Sequence, residues 1–235
     1  MTHDRIVTRS RPRTRALIAV PPPMATDRWR AKRENALDEL HSRMSVCRKC
    51  VVAGFLGEAN GVAGYRGRIG DRVMVIGQAP GRLSVEKRIP FSGPSGRVLD
   101  RWLQIAGFAP GALYREVYLS ALTKCDPGKS PIGKGDRKPT PDELSLCRPY
   151  LLRELELVRP EVILLVGSMA IEAFLGPMKL NDVVGRAFER NGVRLLPLPH
   201  PSGVSRWLND PEHQRQVEEA MALLAASKRQ WEAQS

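Results

Sequence analysis

Four short apolar runs punctuate the chain: Arg72-Val-Met-Val-Ile76, which stops at Gly77; Val117 to Leu122; Val162 to Val166, which stops at Gly167; and Val193 to Leu198. Runs that are apolar on successive residues read as strands buried on both faces. The stretches between them carry helical spacing. Val98, Leu99, Trp102, Leu103 and Ala106 line one side of a helix over Ser95 to Ala106. Thr140-Pro-Asp-Glu143 is a helix start, with a capping Thr, a Pro in the first turn and a Glu placed to close a capping box; that helix runs to about Val158. A short helix over Ser168 to Leu175 and a last one over Asp210 to about Trp231 complete the pattern. Leu37, Leu40 and Met44 mark an earlier helix, capped by Thr26 or Asp27 and ending near Ser45. Strands alternating with helices predict an α/β fold, a three-layer α/β/α arrangement on a central four-stranded, mainly parallel sheet. Ligands bind beyond the carboxyl ends of such strands, so Gly77–Gly81, Thr123–Cys125 and His200–Ser202 are the segments to inspect.

The first 33 residues break this pattern. They hold Arg5, Arg9, Arg11, Arg13, Arg15, Arg28, Arg30, Lys32 and Arg33 against Asp4 and Asp27, and Pro21-Pro22-Pro23 stops any helix. Residues 1–26 read as a disordered basic arm, and residues 27–235 as a single domain. The arm suits a sliding contact to phosphates; an organellar address or no role are the alternatives. The apolar stretch Ala16 to Val20 is too short for the core of a secretory signal. No apolar run approaches the roughly 18 residues of a membrane span, which excludes a bilayer-spanning protein.

Over all 235 residues, 37 Lys and Arg outweigh 25 Asp and Glu, a net charge of +12 that points to a polyanionic partner. Nucleic acid is the first choice, with an acidic membrane surface or plain solubilising charge behind it. Aromatic residues are only 6%, which argues against a sheet that stacks several bases at once.

Four cysteines carry a second signal. Cys47-Arg-Lys-Cys50 is a close pair, while Cys125 and Cys147 are separated by 21 residues. Four thiolates suit tetrahedral zinc or an iron–sulfur cluster, and the wide second spacing weakens the zinc case. Disulfides would need an oxidising compartment. Four unconnected buried thiols are a poor fit to Cys47 and Cys50, because Arg48 and Lys49 beside them favour exposure and thiolate.

Three further signals follow the strands: Gly77-Gln-Ala-Pro-Gly81, then Pro90-Phe-Ser-Gly-Pro-Ser-Gly96 before a helix; Lys124-Cys125, later followed by Pro139-Thr-Pro-Asp-Glu143 and Cys147-Arg-Pro-Tyr-Leu151; and His200-Pro-Ser202. In this order, with the cysteines, they resemble the iron–sulfur branch of the uracil-DNA glycosylase superfamily, including its family 4, family 5 and UdgX-type members. The resemblance covers about Cys47 to Leu224 and implies a hydrolase of base excision repair acting on DNA with deaminated bases. It also implies a [4Fe-4S] cluster on Cys47, Cys50, Cys125 and Cys147, and a monomeric protein of the cytosol or nucleoid.

The chemistry has clear needs. A base must be flipped from the duplex at a cost of a few kcal/mol. Its departing negative charge must be stabilised in a dry pocket, and a water must reach the other face of the sugar. His200 suits the anion, as a neutral imidazole donor after a strand end; the bland alternative is a structural hydrogen bond. By resemblance, Phe91 stacks on the flipped base, while Gln78 and Ala79, Pro80 and Gly81 line the sugar and the water. Gly93, Ser95 and Gly96 open a helix whose amides suit a phosphate. Ser202 and Ser205 suit flanking phosphates, and the loop with Arg206 and Trp207 follows the family's wedge.

Three departures matter. Gln78 and Ala79 supply no water-activating carboxylate; Ser84 stands where a related branch has an acid, and Glu86 is the nearest substitute. Ala121 stands where many relatives read uracil with an Asn amide, which opens the pocket to hypoxanthine or xanthine. The loop Gly133-Lys-Gly-Asp-Arg-Lys138 has no histidine, so the permanent cross-linking of the UdgX-type branch is not expected. The competing reading is a DNA-binding protein that recognises a lesion or end without cutting.

Overall fold

The structure is a computed structural model and describes residues 17–23, 29–58, 60–131, 135–202 and 206–234. In chain order the elements are α1 (Arg30–Ser45), α2 (Lys49–Val52), β1 (Tyr65–Arg66), β2 (Val73–Gly77), α3 (Arg82–Lys87), α4 (Pro94–Ile105), a 3-10 turn (Ala112–Tyr114), β3 (Val117–Ala121), α5 (Pro141–Val158), β4 (Val162–Val166), α6 (Ser168–Leu175), α7 (Leu180–Val183), β5 (Phe188–Arg190), β6 (Val193–Leu198), a second 3-10 turn (Arg206–Asn209) and α8 (Pro211–Glu232).

The strands form one sheet in the order β1-β3-β2-β4-β6-β5. Its four central strands are parallel, as the apolar runs predict. The sheet has six strands rather than the expected four. β1 and β5 add antiparallel edges, Tyr65 opposite Ser120 and Phe188 opposite Leu195. Both are too short, and too rich in charged residues, to give an apolar run. Every residue of β2, β3 and β4 is buried, which places them under helices on both faces. Met74, Ile76, Tyr118, Ile163, Leu165 and Leu195 pack with α1, α5 and α6. Val73, Val75, Leu119, Leu164, Leu196 and Leu198 pack with α4 and α8.

The helix signals hold where they rest on caps. Thr140 Oγ1 accepts from the Glu143 amide at 3.3 Å, and the Glu143 carboxylate accepts from the Thr140 amide at 2.6 Å. Asp210 caps α8 by accepting from the Glu212 amide. The cap expected at Thr26 or Asp27 lies outside the described residues; α1 starts at Arg30 without a side-chain cap.

The expected arm needs correction over residues 17–23. Ile18 and Val20 are buried in the core. The Ile18 amide donates to the Ala173 carbonyl at 2.9 Å, Arg148 donates to the Leu17 carbonyl at 3.1 Å, and Asn191 donates to the Val20 carbonyl at 2.8 Å. Alternate apolar residues beside the prolines thus cover the outer side of α6 and the turn after β5. The rest of the arm, 1–16 and 24–26, lies outside the described residues. Among the described residues no helix is long and apolar enough to cross a membrane.

A charged network is buried at the carboxyl end of β3. Lys124 is 1% exposed and Glu154 is fully buried. The Lys124 ammonium donates to Glu154 Oε2 at 2.6 Å, to Ser120 Oγ at 2.8 Å and to the Ala121 carbonyl at 2.6 Å, so all three of its protons are used. Ser120 and Tyr118 donate to the two oxygens of Glu154. His41, whose pKa burial lowers to about 4, is neutral and stands 2.8 Å from the Tyr118 hydroxyl. Removing one partner strands a charge in the core, and Glu154→Ala is expected to lower stability by about 3–5 kcal/mol. Urea unfolding of the two proteins measures this; a loss under about 1 kcal/mol would show that water already reaches the pair.

Candidate active site

The carboxyl ends of the parallel strands open into a cleft of about 310 Å³. β3 lies on one side of β2 and β4 on the other, so the chain changes direction beside β2, the place where such sheets leave a crevice. Ala79, Pro80, Gly81, Phe91, Gly93, Ser95, Ala121 and His200 line it together. The strand-end motifs, far apart in sequence, therefore meet as the resemblance implies.

Phe91 sets the floor. Its ring lies over Gly77, where a Cβ would come within 2.9 Å of the ring. Its backbone has φ of +56°, a left-handed conformation that costs a bulky residue about 1–3 kcal/mol. Two neighbours hold it there. The Tyr114 hydroxyl donates to the Phe91 carbonyl at 2.7 Å. Gly96 passes so close that any Cβ would collide with that same carbonyl oxygen. The glycine at 96 thus makes room for the platform. Its amide bonds back to the Gly93 carbonyl at 3.1 Å, inside the first turn of α4. Gly93 caps α4 without a side-chain bond, and Ser95 reaches the cleft.

His200 stands over this floor, beside the bare backbone of Gly167. The Ser202 amide donates to His200 Nδ1 at 3.3 Å, and the Ser202 hydroxyl lies 2.9 Å from the same nitrogen. An amide can only donate, so Nδ1 is an acceptor and the neutral ring carries its proton on Nε2. Desolvation by the cleft walls holds the His200 pKa below its usual 6.5, against an opposing pull from Asp136. The ring is therefore neutral at neutral pH, with an N–H to offer. Ser202, expected on a phosphate, instead spends its hydroxyl on orienting His200.

Gln78 is not among the cleft-lining residues; its carbonyl accepts from the Thr123 amide at 3.2 Å. Glu86, the substitute carboxylate, pairs with Arg82 at 3.3 Å on the outside of α3. Ser84 lines the cleft but is a hydroxyl. Trp207 is no free wedge: it stacks on His213 at 4.0 Å and donates from its indole to Asn181. Ser205 and the Arg206 side chain lie outside the described residues. The structure adds Arg82, Leu83, Lys129 and Asp136 to the cleft wall. Lys129 and Asp136 come from the loop after Cys125, which folds back over Gly81. Nothing local in sequence marks such a return.

The cysteines also meet. Cys50, Cys125 and Cys147 line one small cavity, and Cys47 is near enough to act on the Cys125 thiol. All four are free thiols in this structure. Cys50 is buried despite its basic neighbours: Arg48 pairs with Glu58, and Lys49 lies over the Tyr150 ring. Burial raises all three cavity thiols, Cys125 to about 12 and Cys147 to about 11; at Cys50 this is the reverse of the expected thiolate. Among the described residues no three such groups already stand in metal-holding geometry. The donor set itself is clean. Glu143 lines the same cavity, but Arg137 holds both its oxygens, at 2.6 and 2.7 Å.

The platform gives a first test of the site. Gly96→Ala is expected to push Phe91 off Gly77 and to cost about 1–3 kcal/mol, as overpacking does. Thermal unfolding of the two proteins measures it. An unchanged melting temperature would mean that the Phe91 carbonyl yields freely.

Comparison with known proteins agrees with this geometry. Residues 65–224 match the uracil DNA glycosylase superfamily. The type-4 uracil-DNA glycosylase of Archaeoglobus fulgidus is 32% identical over 179 residues, 72% of this chain and 83% of that protein. The type-4 uracil-DNA glycosylase of Thermotoga maritima is 28% identical over 177 residues, 74% of this chain and 85% of that protein. The type-5 uracil-DNA glycosylase of Pyrobaculum aerophilum is 30% identical over 154 residues, 58% of this chain and 63% of that protein. On the match to most of its length, with the cleft built from the expected strand ends, the chain belongs to the uracil-DNA glycosylase superfamily.

Proposed function

We propose that the protein is a monofunctional DNA glycosylase of base excision repair, acting as a monomer in the cytoplasm, that removes uracil and other deaminated bases from DNA. The single observation that carries this reading is the His200 tautomer. Nδ1 is held as an acceptor, so Nε2–H is left to donate to the oxygen on which a departing pyrimidine gathers charge. A flipped base would lie on Phe91 in a site too narrow for the duplex. A neutral donor suits an anion that forms only as the bond breaks, because it does not bind the neutral base too strongly beforehand. Ala121 presents a methyl where an amide would select uracil, which supports a range that includes hypoxanthine and xanthine. Lys129 reaches the cleft, but its ammonium is paired with Asp136 at 2.7 Å and has no free lone pair for attack on the sugar. That supports water as the nucleophile and an abasic site as the product.

Arg82 and Lys129 at the cleft and the net charge of +12 supply attraction to the phosphate backbone. Oligonucleotides with one uracil, hypoxanthine or xanthine, treated with alkali after incubation, test the reaction. His200→Ala is expected to slow single-turnover release by about 100- to 1,000-fold. The wild-type rate should be flat near neutral pH. It should fall about tenfold per unit once pH drops below the His200 pKa, which lies under 6.5, because protonation puts a hydrogen on Nδ1 and breaks the Ser202 contact. Binding without product from any of these bases would favour the lesion-binding alternative.

The four cysteines fit a [4Fe-4S] cluster, with zinc as the lesser choice. Such a group would be structural, tying α2 and the end of β3 to α5 through thiolates. The purified protein is expected to be brown and to contain iron and inorganic sulfide. Cys147→Ser should lose both and unfold at lower temperature. A colourless protein with stoichiometric zinc would reject the iron cluster.

A further inference from the structure

We infer that Asp136 is the carboxylate that takes the proton of the attacking water, a role the first strand-end loop leaves unfilled. The inference rests on the glycosylase reading above. Among the described residues that line the cleft, Asp136 is the acidic one. Its placement is specific. Lys129 donates to Oδ1 at 2.7 Å and the two residues form an isolated antiparallel bridge, which fixes the carboxyl group across the loop. Oδ2 takes none of these bonds and lies against Gly81, where a Cβ would stand only 2.8 Å away. A third of the Asp136 side chain is exposed, and its charge acts on the His200 imidazole across the cleft.

The tether of the base assigns the roles. A flipped base remains tied to a backbone that stays outside the protein. With the base on Phe91 and beside His200, the sugar would lie toward the Gly81 edge of the cleft, where Asp136 Oδ2 stands. A carboxylate there would lie beside C1′, on a water's path, while the imidazole addresses the base. The C1′–N bond breaks and its electron pair leaves on the base, whose oxygen accepts from His200 Nε2–H. Water oxygen bonds to C1′ and its proton passes to Asp136 Oδ2. The carboxylic acid then returns that proton to the base anion or to solvent, leaving a hydroxylated abasic site and a neutral base. The Lys129 ion pair holds Oδ1 and leaves Oδ2 toward Gly81, and the anion also stabilises positive charge growing on the sugar.

Single-turnover release of uracil by the full-length protein tests this with Asp136→Asn and Asp136→Ala. Both should lose at least about 100-fold in rate, within the span expected of a proton-accepting group. Affinity for DNA carrying an uncleavable 2′-fluorinated deoxyuridine should not fall below that of wild type, because an anion is removed and Lys129 is released, and the melting temperature should stay close to wild type. Formate should restore part of the Asp136→Ala rate by entering the vacated space. Rates within about threefold of wild type would overturn the inference. So would a loss that tracks DNA affinity or stability and that formate leaves unchanged, since Asp136 would then only hold its loop. A wild-type protein that releases no base would instead sink the glycosylase reading, and this inference with it.

Discussion

The bare backbone of Gly77, with the Phe91 ring laid upon it, is the constraint on which the cleft depends. A side chain at the end of β2 would meet the Phe91 ring, 2.9 Å from its Cβ, and lift it from the cleft floor. The ring can reach that glycine only with the Phe91 backbone in a left-handed conformation. That strain is held by the Tyr114 hydroxyl on one side and by the missing side chain of Gly96 on the other. Three of the four contributors come from different segments, joined because parallel strands end level and the first turn of α4 starts directly above them. The glycines of the two motifs are therefore spacing for one aromatic platform as much as hinges for a loop.

Charge is arranged around that platform in layers. Beneath β3 lies the Lys124–Glu154 pair, with every ammonium proton placed. One of its contacts is the carbonyl of Ala121, which forms part of the cleft wall. The Lys124 amide also donates to Cys147 Sγ at 3.2 Å. A single residue thus joins the cleft wall, the buried carboxylate of α5 and the cysteine cavity. Disturbing the cysteines should be felt at the wall of the cleft through this short path. Above the platform the balance differs: one neutral imidazole, one ion pair, and a partly exposed mouth suited to an anionic backbone.

Much of this was legible in the chain. Buried parallel strands leave apolar runs that few other elements imitate, and the four central strands fall within a residue of those runs. Thr140 and Glu143 announced α5 because a capping box is local chemistry. The edge strands were not legible, since Tyr65-Arg66 and Phe188-Glu-Arg190 carry no period long enough to read. Ile18 and Val20 were hidden inside a basic, proline-rich stretch whose composition outweighed two apolar residues. The site divides the same way. His200 follows a strand end and could be proposed from that position, whereas Phe91, beyond α3, could be proposed only from the family resemblance. Asp136 and Lys129 could not, because a loop folding back over Gly81 is a tertiary event. Basic neighbours misled at Cys50, whose burial depends on α5 and not on Arg48 or Lys49.

The central claim is that a base rests on Phe91 while His200 Nε2 donates to its oxygen. A crystal structure of the protein bound to DNA containing an uncleavable uracil nucleotide tests it directly. The account predicts the pyrimidine stacked on the Phe91 ring, with its oxygen about 2.7–3.2 Å from Nε2. A base left in the helix, or one lodged away from both residues, would contradict it.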